Sequence, residues 1–154
     1  MSIKLQPVSA ENWQALINLK VREDQKNFVA PNLYSIAEAQ FGFEDEGHWD
    51  FYPYGAYLAD EPVGFVMYCL NFDHSRFQAF VMRLMVDEKF QGRGYGREIM
   101  RQVLDLFRAQ KEIKNVGISY EPHNEGARKL YASLGFIEPG EMMEGETLAI
   151  LNLR

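Results

Sequence analysis

The chain has 154 residues, of which 47% are hydrophobic and 25% are charged, a composition typical of one globular domain. Its formal net charge of −6 argues against nucleic acid as a partner, and it lacks the apolar run of about 18 residues that crosses a membrane. One cysteine excludes an internal disulfide, three scattered histidines show no zinc-ligand spacing, and the N-terminus lacks the apolar stretch of a secretory signal. We therefore expect one cytoplasmic domain over residues 1–154, without a metal and without a membrane partner.

The first half of the chain is predicted to contain a strand, two helices and three further strands. Residues 5–8 form the first strand, and Ser9 is a suitable N-cap for a helix in which apolar residues recur at helical spacing from Trp13 to Val21. A second helix is predicted over residues 35–46, ended by Gly47. The three β-rich segments that follow are residues 54–58, 63–70 and 77–86.

The second half is predicted to alternate between helices and strands. Apolar residues from Ile99 to Phe107 follow the spacing of one helix face, and residues 115–120 form a short strand. Asn124 can cap a last helix that ends at Gly135. A closing hairpin is predicted from residues 136–142 and 147–153. The order β-α-α-β-β-β-α-β-α-β-β implies an α/β domain with a mixed sheet.

A glycine-rich segment, Gln91-Gly92-Arg93-Gly94-Tyr95-Gly96, follows a predicted strand and opens a predicted helix. The N–H groups and the dipole of a helix start favour an anion such as phosphate, and glycines allow the backbone to approach it closely. Five basic residues surround the segment: Arg83, Lys89, Arg93, Arg97 and Arg101. The lysine of a nucleotide P-loop is missing, and Arg97 stands where a dinucleotide fingerprint needs its third glycine. A tight turn without a ligand is the alternative.

Two blocks of sequence resemble the GNAT family of N-acetyltransferases. Gln91-x-x-Gly94-x-Gly96 is similar to the Gln/Arg-x-x-Gly-x-Gly/Ala signature of that family, and residues 124–136 are similar to its Asn-x-x-Ala-x-x-Leu-Tyr-x-x-x-Gly-Phe block. The resemblance implies a single-domain α/β fold, with a mixed, mostly antiparallel sheet of six to seven strands and about four flanking helices. It also implies an enzyme that moves the acetyl group of acetyl-coenzyme A to a primary amine by direct attack, without an acyl-enzyme.

The resemblance implies roles for individual residues. Backbone groups of three strand residues would contact the pantetheine arm and the acetyl carbonyl: Leu84, Met85 and Val86. The loop and one arginine would hold the pyrophosphate: Gln91, Gly92, Arg93, Gly94, Tyr95, Gly96 and Arg97. Asn124 would contact pantetheine or cap its helix, and Ala127 would leave room for the cofactor. Tyr131 would be the general acid, with a core tyrosine as the alternative.

Acetyl transfer needs a neutral amine and a proton for the departing thiolate. An alkyl amine has a pKa near 10.4, so only about one in two thousand molecules is neutral at pH 7, a handicap of roughly 4.6 kcal/mol. Several relatives place a glutamate where this chain has Met82 and Arg83, so the base is left unassigned. Glu121 is one candidate for the base and an ordered water is another. The loop histidines His48 and His123 are weaker candidates.

The acceptor amine is expected near the N-terminal region, where the excess negative charge lies. Residues 1–62 contain ten acidic and four basic residues, whereas residues 63–154 contain twelve of each. Carboxylates and aromatic rings suit a polycation, although a merely solubilising surface has the same charge. The segment over residues 25–32 also resembles bacterial spermine/spermidine acetyltransferases. We therefore predict a polyamine such as spermidine or spermine, held by residues drawn from Asp24, Phe28, Glu38, Glu44 and Asp50.

Other functions remain open on the sequence alone. The acceptor can instead be a protein N-terminal amine, a lysine side chain or an aminoglycoside. A non-catalytic module that binds acyl-coenzyme A is a further alternative. Self-association is common in the family, so a homo-oligomer is possible, but its order does not follow from the sequence.

Overall fold

A computed structural model describes residues 2–154, in which strands and helices alternate much as their apolar patterns predict. The eight strands are β1 (Ile3–Pro7), β2 (Phe43–Glu44), β3 (His48–Leu58), β4 (Glu61–Leu70), β5 (Ala79–Val86), β6 (Asn115–Tyr120), β7 (Met142–Met143) and β8 (Glu146–Asn152). The four α-helices are α1 (Trp13–Ile17), α2 (Asn32–Ala39), α3 (Tyr95–Arg108) and α4 (Glu125–Ser133). None of the helices within residues 2–154 is both long and apolar enough to cross a membrane.

The strands form one mixed sheet in the order β1-β3-β4-β5-β6-β8-β7, with β2 paired to β3. All neighbouring pairs are antiparallel except β5 and β6. The predicted α/β fold with a mixed, mostly antiparallel sheet and four helices is confirmed. The sheet has one strand more than the largest predicted number, because the two-residue strand β2 was not foreseen.

The N-terminal helices are shorter than predicted. The helix expected over residues 35–46 is wrong in its second half, since α2 ends at Ala39 and Gly42, at φ +65°, turns the chain into β2. The first helix ends at Ile17 because the Lys20 backbone bonds elsewhere, its N–H donating to Asp87 Oδ1 at 2.9 Å. The N-cap of α1 is Asn12 rather than Ser9.

The closing hairpin also departs from expectation. Residues 136–142 do not form a continuous strand, because Pro139 lacks an N–H donor and Gly140 adopts φ +90°. Pairing is limited to an isolated bridge between Ile137 and Ile150 and to the short strand β7.

The two faces of the sheet carry different layers. Helix α3 buries Ile99, Met100, Val103, Leu104 and Phe107 against one face, where they join the largest apolar cluster with residues of α4. On the other face, Phe65, Met67 and Met85 pack with apolar residues of the N-terminal segment and α2. The alternation of side chains along β4 explains why this strand is buried on both sides.

Strand β5 separates from β6 halfway along its length. The parallel pairing covers only three residue pairs, from Ala79 with Val116 to Val81 with Ile118. At the next residue β5 contains a bulge: Met67 lies opposite Arg83 and Tyr68 opposite Val81, so Met82 has no partner in β4. A bulge bends its strand, and here the bend opens a gap between β5 and β6. We call this gap the β5–β6 slot.

The assigned face of α3 can be tested by two adjacent substitutions. Phe107→Ala removes a ring that is 0% exposed and packs edge-on against Tyr68 at 4.9 Å, so we expect a loss of about 3–5 kcal/mol in the free energy of unfolding. Leu106→Ala changes a side chain that is 41% exposed, and we expect a change of about 0.5 kcal/mol. Urea unfolding monitored by circular dichroism measures both values. Equal losses would contradict the packing described for this helix.

Candidate active site

A cleft of about 1170 Å³ runs through the β5–β6 slot and continues to the N-terminal segment and the β7–β8 hairpin. Its walls include the second half of β5, where the strand is not paired with β6, the start of α3 and one side of α4. All three strand residues predicted to contact pantetheine, Leu84, Met85 and Val86, line it. Because β6 pairs with β5 only up to Val81, these residues have no ladder partner in β6. The Val86 carbonyl oxygen is taken by the Gln91 side chain, and other backbone groups on this edge remain for a ligand.

The glycine-rich segment forms a turn that leads directly into helix α3. Gly92 and Gly94 have φ values of +78° and +83°, a region that residues with a side chain rarely adopt, and Gly94 is the N-cap of the helix. A β-carbon at either glycine would meet no protein atom within 4 Å, so the surrounding space is open. The first N–H groups of the 14-residue helix therefore point toward the cleft end with an anion-favouring dipole.

The basic residues around this turn differ in whether they are neutralised. Arg83 pairs with Glu38 at 3.1 Å, and Arg101 pairs with Glu98 at 2.7 Å. Three cations make no salt bridge within residues 2–154, but none of them is among the residues that line the cleft: Lys89, Arg93 and Arg97. Of the five basic residues predicted around the turn, these three are therefore unpaired but lie outside the lining of the cleft.

Side chains at the base of the turn tie it to the rest of the cleft. Gln91 Nε2 donates to the Val86 carbonyl oxygen and to Gln25 Oε1, each at 2.9 Å. The carboxylate of buried Asp87 accepts the N–H of Lys20 at 2.9 Å and that of Lys89 at 3.2 Å. The Gln91 side chain therefore closes the turn onto β5, a structural role in addition to the amide contact predicted for this residue.

Helix α4 brings two of the predicted cofactor residues to the cleft. Asn124 is its N-cap, and Asn124 Oδ1 accepts the N–H of Ala127 at 3.1 Å. Of the two roles expected for Asn124, a contact with pantetheine and a helix cap, the structure contains the helix cap. Ala127 is partly buried and lines the cleft, where a larger side chain would narrow the passage.

Tyr131 lies one turn further along α4 and is 6% exposed. Its ring packs against Tyr120 at 5.5 Å and Phe136 at 5.9 Å, and the residue lines the cleft. Burial, followed by the charge of Tyr120, raises the pKa of Tyr131 above its ordinary value of 10.0. The hydroxyl therefore stays protonated at neutral pH and can act as a donor. Tyr131 is therefore a core residue, as one interpretation of the sequence predicts. It also lines the cleft, a position that the other interpretation, a general acid, requires.

The predicted acceptor residues divide into two groups. Phe28, Glu38 and Glu44 line the cleft, whereas Asp24 and Asp50 lie outside its lining. Asp24 points to solvent beside Arg22 at 3.2 Å. Asp50 faces away because its neighbour Trp49 points inward, and successive residues of a strand face opposite sides.

Three carboxylates of the cleft were not predicted: Asp45, Glu144 and Glu146. Two of them lie in the β7–β8 hairpin, which the sequence marks only as a turn. Of the base candidates, Glu121, His48 and His123 are all absent from the lining of the cleft within residues 2–154. Glu44 is hydrogen-bonded to His48.

One group of metal-type ligands occurs within residues 2–154: Asp45, Glu46 and His74. His74 Nδ1 accepts the N–H groups of Arg76 and Phe77, both at 3.2 Å. The proton of the neutral ring is therefore on Nε2, which lies 3.2 Å from Asp45 and 3.4 Å from Glu46. A metal needs a free lone pair on that nitrogen, so the group is better explained as a hydrogen-bonded anchor for the β2–β3 turn.

The sequence and the fold are similar to those of known proteins. The sequence matches the model of the acetyltransferase (GNAT) family over residues 13–136. It is 27% identical to the spermine/spermidine N(1)-acetyltransferase of Bacillus subtilis strain 168, over 99% of this chain and 100% of that protein. AAC(6')-Ib in complex with ribostamycin and coenzyme A superposes with a TM-score of 0.76 at 16% identity, covering 99% of this chain and 94% of the other. Spermidine N-acetyltransferase from Vibrio cholerae, in complex with CoA and spermine, superposes with a TM-score of 0.70 at 14% identity. The match covers 97% of this chain and 93% of the other.

The glycine turn predicts different effects for two similar substitutions. Gly94→Ala places a side chain at φ +83°, which costs about 1–2 kcal/mol, so we expect acetyl-coenzyme A to bind about 5- to 30-fold more weakly. At Gly96 a β-carbon would lie 3.7 Å from Leu130 Cδ2, an ordinary contact, and Gly96→Ala should change the Kd by no more than about twofold. Isothermal titration calorimetry measures both. Equal Kd values for the two variants would contradict a role for the left-handed turn in binding.

Proposed function

The chain belongs to the acetyltransferase (GNAT) family, and from that premise we propose that it transfers the acetyl group of acetyl-coenzyme A to a primary amine of a polyamine such as spermidine or spermine. It is an acetyl-coenzyme A-dependent N-acetyltransferase, as its relatives are. The proposal concerns the acceptor, the chemical route and the residues that carry each step.

The observation that carries the proposal is the charge and composition of the cleft beyond the slot. Five carboxylates line that part: Glu38, Glu44, Asp45, Glu144 and Glu146. The two cations of the lining are already paired, Lys26 with Glu23 at 2.7 Å and Arg83 with Glu38 at 3.1 Å. Aromatic residues lie between the acids, including Phe28, Phe43, Trp49 and Phe80. Ammonium groups are attracted to the carboxylates, and the methylenes between them pack on the rings.

The whole-length similarity to a spermine/spermidine N(1)-acetyltransferase supports the same acceptor class. An aminoglycoside also carries several ammonium groups, but its sugar hydroxyls would need many hydrogen-bond partners. The aromatic residues of this cleft suit an alkyl chain better.

The other end of the cleft fits coenzyme A. Unpartnered β5 backbone suits the amides of pantetheine, and the α3 start with Lys89, Arg93 and Arg97 suits a pyrophosphate. Bound acetyl-coenzyme A supplies the thioester. The chain positions the amine beside it and excludes water from the buried half of the cleft.

Direct attack by the amine is favoured because the cleft offers no thiol nucleophile. Cys69 is buried, its Sγ lies 3.7 Å from the Phe80 carbonyl oxygen, and it does not line the cleft. Burial, followed by the charge of Glu38, raises the pKa of the Cys69 thiol, so it stays protonated. An acyl-enzyme on this residue is therefore disfavoured.

Tyr131 is the proposed donor to the departing thiolate. A tyrosine with a raised pKa is a weaker acid than a free one, but the burial that raises it also raises the proton affinity of a thiolate in the same cleft. The two effects oppose each other, and transfer becomes feasible when both groups are desolvated.

The role of Tyr131 is tested by removing its hydroxyl. Tyr131→Phe keeps the ring contacts with Tyr120 and Phe136, so we expect a kcat about 100-fold lower, with a KM for acetyl-coenzyme A within about twofold. Steady-state kinetics with spermidine measure both constants, and thermal unfolding verifies that the variant is folded. An unchanged kcat would remove Tyr131 from the mechanism.

The acceptor is tested by a panel of amines, with coenzyme A release followed by absorbance and products identified by mass spectrometry. The panel contains spermidine, spermine, kanamycin and a peptide with a free N-terminal amine. We expect kcat/KM to be at least about tenfold higher for the polyamines, and to fall with rising salt because exposed carboxylates attract them. Turnover of kanamycin or the peptide, without turnover of either polyamine, would reject the acceptor proposed here.

A further inference from the structure

Strands β6 and β8 direct their side chains to opposite faces of the sheet beside the slot. Tyr120 lies opposite Thr147, and Ser119 lies opposite Leu148. Opposed residues of an antiparallel pair share a face, and successive residues alternate. Tyr120 therefore faces α4, where its ring packs on Tyr131 at 5.5 Å. Ser119, Leu148 and Glu146, two residues before Leu148, face the acceptor side.

The same residues lie at the mouth of the β5–β6 slot. The pairing of β5 with β6 ends at Ile118, so Ser119 and Tyr120 are the first residues of β6 beyond it. Both line the cleft, as do Tyr131 and Glu146. A thioester held in the slot would have the Tyr131 hydroxyl on its helical side and the Glu146 carboxylate on its acceptor side.

Glu146 is the carboxylate of the cleft that is held by a hydrogen bond and has no basic side chain bonded to it. Glu38 is paired with Arg83, Glu44 is bonded to His48, and Asp45 lies 3.2 Å from His74. Glu144 is exposed in the hairpin turn.

Ser119 holds Glu146 in place. Ser119 Oγ donates to Glu146 Oε1 at 2.8 Å, and Glu146 makes no salt bridge within residues 2–154. One oxygen is thus held by the strand beside the slot while the other can accept a proton. Its half-buried position favours contact with a desolvated amine over contact with bulk water.

We infer that Glu146 is the proton acceptor of the acetyl transfer; this rests on the function proposed above. The neutral form of the amine, which has already lost its ammonium proton to solvent, forms a bond from its nitrogen to the thioester carbon, and the carbon–sulfur bond breaks. The proton lost by the nitrogen passes to Glu146, and the proton of the Tyr131 hydroxyl passes to the thiolate sulfur. One proton enters and one leaves the reacting atoms, from opposite faces of the sheet. Exchange with solvent then restores both residues.

The test is the pH dependence of kcat at saturating spermidine for the wild type and Glu146→Gln. We expect the variant to have a kcat about 100-fold lower at neutral pH. The wild-type kcat should reach a plateau as the pH rises. The variant should lack the plateau and rise about tenfold per pH unit, because hydroxide must then take the proton. Glu146→Asp, which retains a carboxylate, should recover at least about tenfold of the loss.

Two controls separate proton transfer from other effects. Glu144→Gln removes the same charge from the same hairpin, and we expect a KM for spermidine about two- to fivefold higher with the plateau retained. Calorimetry should give a Kd for acetyl-coenzyme A within about twofold of wild type for Glu146→Gln, since the cofactor contacts are on other residues.

Three outcomes are decisive. A plateau retained in Glu146→Gln would overturn the assignment of Glu146. An equal loss of kcat in Glu144→Gln would show that negative charge, and not proton transfer, is required. If the wild type acetylated no amine at all, while still binding acetyl-coenzyme A, the failure would be that of the proposed function.

Discussion

Beyond Val81, strand β5 remains paired with β4 but is no longer paired with β6, and the cleft depends on this one-sided pairing. The bulge at Met82 adds one residue to β5, so the strand bends away from its parallel neighbour. Backbone groups left unpaired in a partly buried position cost about 1–3 kcal/mol each, which makes the open slot unfavourable unless water or a ligand satisfies them. A ligand with amides of its own, such as the pantetheine proposed here, would replace the missing ladder. Binding would then recover the stability lost in the sheet.

The slot also separates two regions of opposite charge. At one end, the start of α3 favours a pyrophosphate, and three unpaired cations lie near it in the sequence but outside the lining of the cleft. At the other end, five carboxylates favour ammonium groups. The pairing of Arg83 with Glu38 maintains this separation, because a free guanidinium beside the acceptor would repel a polycation. The net charge of −6 therefore says less than its distribution, since the cofactor end of an acidic protein is locally basic.

Features encoded by nearby residues were predictable from the sequence, and features that depend on distant pairing were not. The apolar stripe of α3, the bounds of β6 and the Asn124 cap all follow from spacings of a few residues. The end of α2 was missed because the stacking of Phe43 on Trp49 outweighs helix propensity. Asp50 lies outside the lining of the cleft because the inward position of Trp49 fixes the strand alternation, which the local spacing does not reveal. The role proposed for Glu146 could not be predicted because its bond to Ser119, 27 residues away in the chain, requires the register of β6 and β8.

The two halves of the cleft are built as one unit, since the N-terminal segment is bonded to the cofactor turn. Gln25 Oε1 accepts both the N–H of Arg22 and the Nε2–H of Gln91, and Asp87 accepts the N–H of Lys20. A change in the glycine turn on binding coenzyme A must therefore move, or be resisted by, the segment that carries Phe28. Each of these bonds contributes about 0.5–1.5 kcal/mol, so the coupling between cofactor and acceptor is limited to a few kcal/mol. That range is large enough to order the acceptor wall and small enough to allow product release.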